Sequence, residues 1–472
     1  MNFEYGFETR RINEILKLNG KDATILNFLE KEINRFLLCK KRKRMILGEE
    51  YYKGNQDILK RQRTAIGNNG EKEVIENLPN NKIIDNQYSR LVDQKNSYLL
   101  SKPLTFYTKE KDFLKRIRKI LGKSFFRTIK NIGEDTINCG IGWLYIYINE
   151  KGEFDFKRFR PYEILPFWED EEHTKLDMLA RIYDIKIYEK HNIKTFTQVE
   201  LYTKKGVQYY ILDGEKLLPD YNNGFIPYLI NYDKTPLHWE NIPIIPFKYN
   251  SKEIPLIQKT KTLQDALNTI RSDFMNNLQE DARNTILILK NYDGTNLGEF
   301  RKNLSEYGVV KVRTIDGNDG GVEALKIQVD NSNYEIMAKA LKKAMIENAR
   351  GYDSKDEKFG SNPNQMNIQS IYADIDLDAG LMETEFQASF ENLFEFIKAY
   401  IKNIYGEDYF EEDVDVIFNK DILINETEAI NNCINSIGIL SKETIISQHP
   451  WTNQVDLEIE KLNKENKNIE EI

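Results

Sequence analysis

Residues 372–386 read YADIDLDAGLMETEF, and what they form decides the architecture around them. Asp374, Asp376 and Asp378 alternate as D-x-D-x-D, and Glu385 stands twelfth, where an EF-hand loop places its bidentate ligand. That loop also needs Gly at its sixth position, and here the sixth is Ala379, with Gly380 one residue late. Around the aspartates, Ile371, Ile375, Met382, Phe386, Phe390, Leu393, Ile397 and Ile401 recur at spacings of 3, 4 and 7. The stretch therefore reads as part of a long helix, on which side chains at i, i+2 and i+4 point in different directions. The calcium reading fails on both counts. The three aspartates are expected on the helix surface, keeping one face wet or pairing with lysines of a neighbouring chain.

Working back from that helix, RGYDSKDEKFGSNPNQ (350–365) is a polar, Gly/Pro-punctuated loop, and unstructured length of this kind usually signals function or disorder. Before it, residues 333–350 read as a helix with Tyr334, Met337, Leu341 and Met345 on its apolar side and Glu335, Lys339, Lys342, Lys343 and Glu347 on its wet side. Residues 254–282 form a longer helix with a narrow apolar seam of Leu263, Leu267, Ile270, Phe274 and Leu278. The insert between them reads as strand TILIL, a DG turn, a helix over 297–306, strand GVVKV, a turn at DGNDGG and strand ALKIQV.

Towards the N-terminus the period changes to two. GWLYIYINEKGEFDFKRF forms a hairpin turning at Glu150–Gly152, and MLARIYDIKIY, FTQVELYT and VQYYILDG continue an antiparallel meander over about 140–250. IPIIPFKYN (242–250) closes it, its two prolines arguing against a regular central strand. Residues 24–47 read as one helix whose end carries KKRKR (40–44); a localisation signal or a nucleic-acid contact is an alternative, but a solvated run of cations near the negative dipole pole is the favoured reading. Residues 68–82 form a loop, and further helices are expected over about 85–100 and 111–139.

The bulk numbers narrow the function. At 472 residues, with 40% hydrophobic and 30% charged, the chain is expected to hold several domains of ordinary globular balance. No apolar run is long enough to span a membrane, and MNFEYGFETRR lacks the apolar stretch of a signal peptide. Cys39, Cys139 and Cys433 are scattered, which suggests a reducing compartment and no structural zinc. The four histidines lie far apart, and GxxxxGK[ST], GxGxxG, GxSxG and HExxH are all missing. No catalytic residue, cofactor or metal is expected. With a net charge of −8, any contact with nucleic acid must be local.

The polar loop ahead of QSIYADIDLDAG resembles the phage portal proteins of the siphophage head-to-tail connector type. YYKGNQDILKR followed by NNKIIDNQYSRLVDQKNSYLLSKPLTF is similar to the N-terminal signature of that family. IPIIPFKYN ahead of a long helix resembles the entrance to its stem, and LSKETIISQHPWTNQVDLEIEKLNKE resembles its C-terminal pattern. The departure lies at the loop exit, where GSNPNQMNIQS places Pro363 and Asn364 among small residues.

The resemblance implies an α+β portal fold with a wing (1–253, plus the long helix 367–405), a stem of two helices (254–282 and 333–350), a small α/β clip (283–332), a tunnel loop (351–366) and an α-helical crown (406–472). It implies a homo-oligomeric ring of about twelve subunits at a capsid vertex. Double-stranded DNA would pass through the channel, and the partners would be a terminase, the major capsid and scaffolding proteins and a head-tail adaptor, with no membrane. Channel-facing candidates are Lys339, Lys342, Lys343, Lys355, Lys358, Asn362 and Asn364. A helix pair with narrow seams suits lateral packing in a ring. An acidic chain suits a channel along which phosphates slide without being held. Two other classes stay open on sequence alone: a metal-dependent nucleic-acid enzyme using Asp374, Asp376 and Asp378, and a scaffold protein that forms no ring.

Overall fold

Leu29, Ile33 and Phe36, spaced four and three apart, bury one face of helix α1 (Ile25–Leu38). The computed structural model describes residues 25–66, 71–74, 78–189, 192–220, 224–230, 236–237, 239–280, 285–290, 296, 321–326, 331–353, 365–420, 426–452, 455, 458–459 and 461–462. The chain divides into two units, one of Met1–Lys53, Tyr88–Thr260 and Ile346–Ile472, the other of Gly54–Gln87 and Lys261–Met345. Among the described residues no helix is long and apolar enough to cross a membrane.

In the first unit the expected helix over 24–47 breaks at Cys39. This residue is extended and caps a second helix, α2 (Lys40–Tyr52), its sulfur accepting from the Arg42 amide at 3.3 Å. KKRKR therefore opens a helix instead of closing one, so its cations stand at the positive dipole end, opposite to the sequence expectation. They find compensation elsewhere. Lys41 pairs with Glu253 at 2.7 Å, Arg42 donates to the Tyr162 carbonyl at 2.9 Å, and Arg44 donates to Gln258 at 3.2 Å.

Two further short strands, β1 (Thr64–Ile66) and β2 (Lys72–Val74), pair as a hairpin in the second unit, inside and beside the stretch read as loop. Helix α3 (Gln87–Leu100) follows, then strand β3 (Thr105–Tyr107). The single helix expected over 111–139 is two, α4 (Lys111–Leu121) and α5 (Phe125–Cys139), because Gly122 takes a left-handed φ of +61°. Gly140 ends α5 with φ +87°, and a Cβ there would lie 2.1 Å from the Glu253 carbonyl. Within α5, burial outweighs the Arg158 guanidinium 3.4 Å away and pushes the Asp135 carboxyl up to about 8.

Strands β4 (Ile141–Ile148) and β5 (Phe154–Phe159) form the hairpin read from sequence, its turn held by Asn149 accepting from the amides of Lys151 and Glu153. Then come β6 (Ile164–Trp168), β7 (Leu176–Glu189), β8 (Asn192–Thr203), β9 (Gly206–Asp213), β10 (Lys216–Pro219) and β11 (Phe225–Ile226), an antiparallel sheet in the order β10-β9-β8-β7-β6 with β11 also on β9. Two short strands, β12 (Leu229–Ile230) and β13 (Pro236–Leu237), pair with each other. IPIIPFKYN supplies β14 (Ile244–Lys248), which lies at an edge beside β4, where Pro246 costs no ladder bond to an outer neighbour. Residues from β4, β6 and β7 with Met45 and Cys139 build one core around Trp143 and Trp168, and α1 packs on the other face of the larger sheet.

The opening stretch does form a helix. After α6 (Ile257–Glu280), β15 (Thr285–Lys290), β16 (Gly321–Lys326) and α7 (Asn331–Asn348), helix α8 runs unbroken from Gln365 to Tyr405. Its 41 residues extend roughly 60 Å at 1.5 Å each. Phe386 and Phe390 meet Phe247 of β14 at 4.9 and 5.7 Å between ring centres. Strand β17 (Asp415–Ile417) pairs with β3, and the short helices α9 (Glu426–Asn435) and α10 (Lys442–Ser447) follow. In the second unit β15 pairs with β16, whereas the helix expected over 297–306 and the strand GVVKV lie outside the described residues.

Candidate nucleic-acid interface

Helix α6 was read from sequence as a stem helix with a leucine seam. The seam holds in part: Leu267 is fully buried and Phe274 packs on Tyr334 at 5.4 Å, whereas Leu278 is 45% exposed. The most regularly buried row is polar, with Thr260, Gln264, Asn268, Ser272 and Asn276, four residues apart, all fully buried. The reason lies in what covers the face in the second unit. Residues 80–86 run extended along it, and their alternate amides bond to helix side chains. Asn81 N donates to Asn276 at 2.8 Å, Ile83 N to Ser272 at 2.9 Å and Asp85 N to Asn268 at 3.0 Å. Gln264 completes the row by donating to the Asp85 carbonyl at 2.8 Å. Two residues of extended chain advance about 6.6 Å and four of helix about 6 Å, so the two repeats stay in step over these rungs. The helix side chains thereby satisfy backbone groups as a neighbouring strand would.

Helix α7 carries the three candidate lysines that fall within the described residues. Lys339 pairs with Glu335 one turn away at 2.8 Å, both largely exposed. Lys342 turns to Asp85, 2.9 Å away, and Lys343 is exposed. Burial pushes the Asp85 carboxyl up, but hydrogen bonds from Lys342 and Gln87 and the charge of Arg271 outweigh it and hold Asp85 below its ordinary value. The lysines therefore do not form one bare stripe. Met337, expected on the apolar side, is 52% exposed, and the buried positions are Ala338, Met345 and Ala349.

Past α7, in the first unit, the first residues of the polar loop are fastened. Arg350 takes φ +52°, and Gly351 sits where a Cβ would meet Leu91 at 2.6 Å. Gln94 of α3 clamps Tyr352 twice, donating to its carbonyl at 2.8 Å and accepting from its amide at 3.1 Å. Tyr352 packs on Tyr372 at 4.5 Å, and Tyr372 stacks on Tyr98 at 5.8 Å. Beside them Lys95, itself buried, reaches both the Arg350 carbonyl at 3.3 Å and Asp378 at 2.7 Å. Tyr249 also donates to Asp378, at 2.5 Å. Burial pulls the Lys95 ammonium down, and the Asp378 charge only partly restores it.

The aspartates are thus dispersed by the helix, and one of them corrects the surface expectation. Asp374 is exposed; Asp376 accepts from Tyr98 at 3.1 Å and pairs with Lys420 at 2.9 Å; Asp378 is buried and paired within its own chain. Among the described residues no three His, Cys, Asp or Glu side chains gather as a metal site. Lys355, Lys358, Asn362 and Asn364 lie outside the described residues.

The family model described as "Phage portal protein, SPP1 Gp6-like" matches residues 39–471. The chain belongs to this family of phage portal proteins. The portal protein of Clostridium phage phiCD119 is 29% identical over 444 residues, covering 91% of this chain and 94% of the relative. That of Bacillus phage SPP1 is 28% identical over 473 residues, covering 97% and 90%. A chain from the virion of a native gene transfer agent particle aligns over 76% of this chain and 87% of its own with 11% identity and a TM-score of 0.42, too slight a likeness to argue from.

As a portal-family member the chain is a structural component of the virion. Two groups of residues that position its long helices escaped sequence reading, and both left a signal. The T-x3-Q-x3-N-x3-S-x3-N row of α6 repeats hydrogen-bonding side chains every four residues, a period that a merely wet face has no need to keep. Asp378 lies three residues after Ile375 and four before Met382, within the buried stripe itself.

Proposed function

We propose that copies of this chain close into a ring of about twelve at a capsid vertex, through which double-stranded DNA is packaged and later ejected. The family match over residues 39–471 carries this reading. The order of elements supports it: two long helices, α6 and α7, flank the β15–β16 insert, and a fastened loop base leads into the long helix α8. On this reading α6 and α7 are the stem, 283–332 the clip, 351–366 the tunnel loop, 406–472 the crown and the remainder the wing. A separate terminase drives the DNA, a head-tail adaptor meets the ring, and capsid and scaffolding proteins surround it. The chain itself hydrolyses neither ATP nor DNA.

The lysines of α7 now separate into distinct roles, which gives a test. Lys343→Glu, at an exposed position, leaves assembly intact and lowers the DNA packaged per head several-fold, as does removal of residues 361–363. Lys342→Glu instead sets two carboxylates against each other beside Asp85 and costs about 1 kcal/mol or more of stability. Heads that fill normally with Lys343→Glu and the shortened loop together place the channel surface elsewhere.

A further inference from the structure

The β7–β8 ribbon runs past its own sheet. β6 pairs with β7 only as far as Arg181, and β9 pairs with β8 only from Thr197 onward. Beyond those points the two strands still pair with each other through five positions, from Ile185↔Phe196 to Glu189↔Asn192. Five residues at about 3.3 Å each make a projection of roughly 17 Å. Among the described residues neither strand has a paired neighbour on its outer edge there. A two-stranded ribbon is only marginally stable alone in water, and its free edges are templates for pairing.

The side chains sharpen the point. Ile187, Tyr188, Ile193 and Phe196 are 45%, 75%, 60% and 37% exposed, an apolar load on both faces of the ribbon. Such a projection needs a partner surface, and the edge of the same sheet beyond β9 offers one. There Leu218 of edge strand β10 and Phe225 and Ile226 of β11 are also exposed. The charges match in the same sense. Lys186 and Lys194 are exposed on the ribbon, and Asp213 and Glu215 are exposed at the turn leading into β10. Among the described side chains, charges of the other sign are Asp184 at the base of the ribbon, which accepts from Thr197 at 2.8 Å, and Lys216 beside that turn. Among these described groups the ribbon carries a surplus of positive charge and the β9–β10 turn a surplus of negative charge.

We propose that the ribbon of one copy docks on the β10–β11 margin of the adjacent copy. Two different apolar patches that complement each other on one chain make a head-to-tail contact, the kind that generates a ring when the rotation closes. The proposal rests on the ring reading above and adds the surfaces that meet.

Two chains with one added cysteine each test it, Ile187→Cys and Leu218→Cys, both with Cys39→Ser to keep the α2 cap and with Cys139 and Cys433 left buried. Assembled together and oxidised, the mixture is expected to give disulfide-linked pairs that neither chain gives alone. Separately, Ile187→Asp with Ile193→Asp is expected to raise the concentration at half-assembly at least ten-fold while leaving the melting of the unassembled chain unchanged. Rings that form without cross-links, or a double variant that assembles at wild-type concentration, overturn the docking and leave the ring reading standing. A double variant that assembles normally but is not built into heads assigns the ribbon to a shell protein instead. Wild-type chain that stays monomeric fails the ring reading, and the docking falls with it.

Discussion

Asp378→Ala is expected to lower the stability of the chain by about 3–5 kcal/mol, because it leaves the Lys95 ammonium buried without its counter-charge. The surroundings offer Lys95 little else. Its other hydrogen-bond partner is the Arg350 carbonyl at 3.3 Å, and Tyr249 loses its acceptor in the same stroke. The damage should reach the loop base, since Lys95 and its neighbour Gln94 together hold Arg350 and Tyr352. Urea unfolding should show the midpoint falling, and limited proteolysis should cut more readily just after Arg350. Replacing both partners, Lys95→Met with Asp378→Leu, should recover most of the loss, because an apolar pair of similar volume avoids the desolvation that a lone charge suffers. A single variant within 1 kcal/mol of wild type would mean that water reaches the pair, and the account of the anchored loop base would have to be abandoned.

Asn268→Leu is expected to cost about 2–4 kcal/mol, although it replaces a polar side chain by an apolar one on a long helix. Asn268 accepts from the Asp85 amide at 3.0 Å and from Gln264 at 2.9 Å, and donates to Gln56 at 2.5 Å. Leucine removes all three bonds; Gln264 keeps its donation to the Asp85 carbonyl, whereas the Asp85 amide and the Gln56 side chain each lose a partner at about 1–3 kcal/mol. Amide exchange at Asn81, Ile83 and Asp85 should rise together, because the rungs hold a single extended segment. Leu278→Asn, at a position the leucine-seam reading places in the core, should change stability by less than about 0.5 kcal/mol. If Leu278→Asn proves the costlier substitution, the buried face of α6 has been misassigned.

These two sites show what was legible in the sequence and what was not. Helix α8 could be read outright, because Ile375, Met382, Phe386 and Phe390 bury hydrocarbon at helical spacing and nothing competes with that signal. The β4–β5 hairpin and the meander were legible from their period of two and from the Gly152 turn. Helix α6 was legible only in part: Leu267 of the expected seam is fully buried, but the polar row was missed because the backbone covering it needs hydrogen bonds and not methyl groups. Periodicity methods score Gln264, Asn268 and Asn276 as facing water. The break at Cys39 was hidden for a related reason: a sulfur atom caps α2, and thiol is outside the usual Ser, Thr, Asp and Asn signature. Lys95 was legible in retrospect, falling within the buried series Tyr88, Leu91, Val92 and Leu99 of α3. A charged residue on such a stripe asks for a buried partner of opposite sign, and Asp378 sits on the corresponding stripe of α8.

The central claim is that the chain closes into a ring, and the mass of the purified assembly tests it most directly. Twelve chains of 55.6 kDa sum to about 0.67 MDa. Light scattering coupled to size exclusion should give a species near that mass, and electron micrographs of the same fraction should show rotational symmetry about a central hole. A species of 55.6 kDa at every protein and salt concentration would contradict the account.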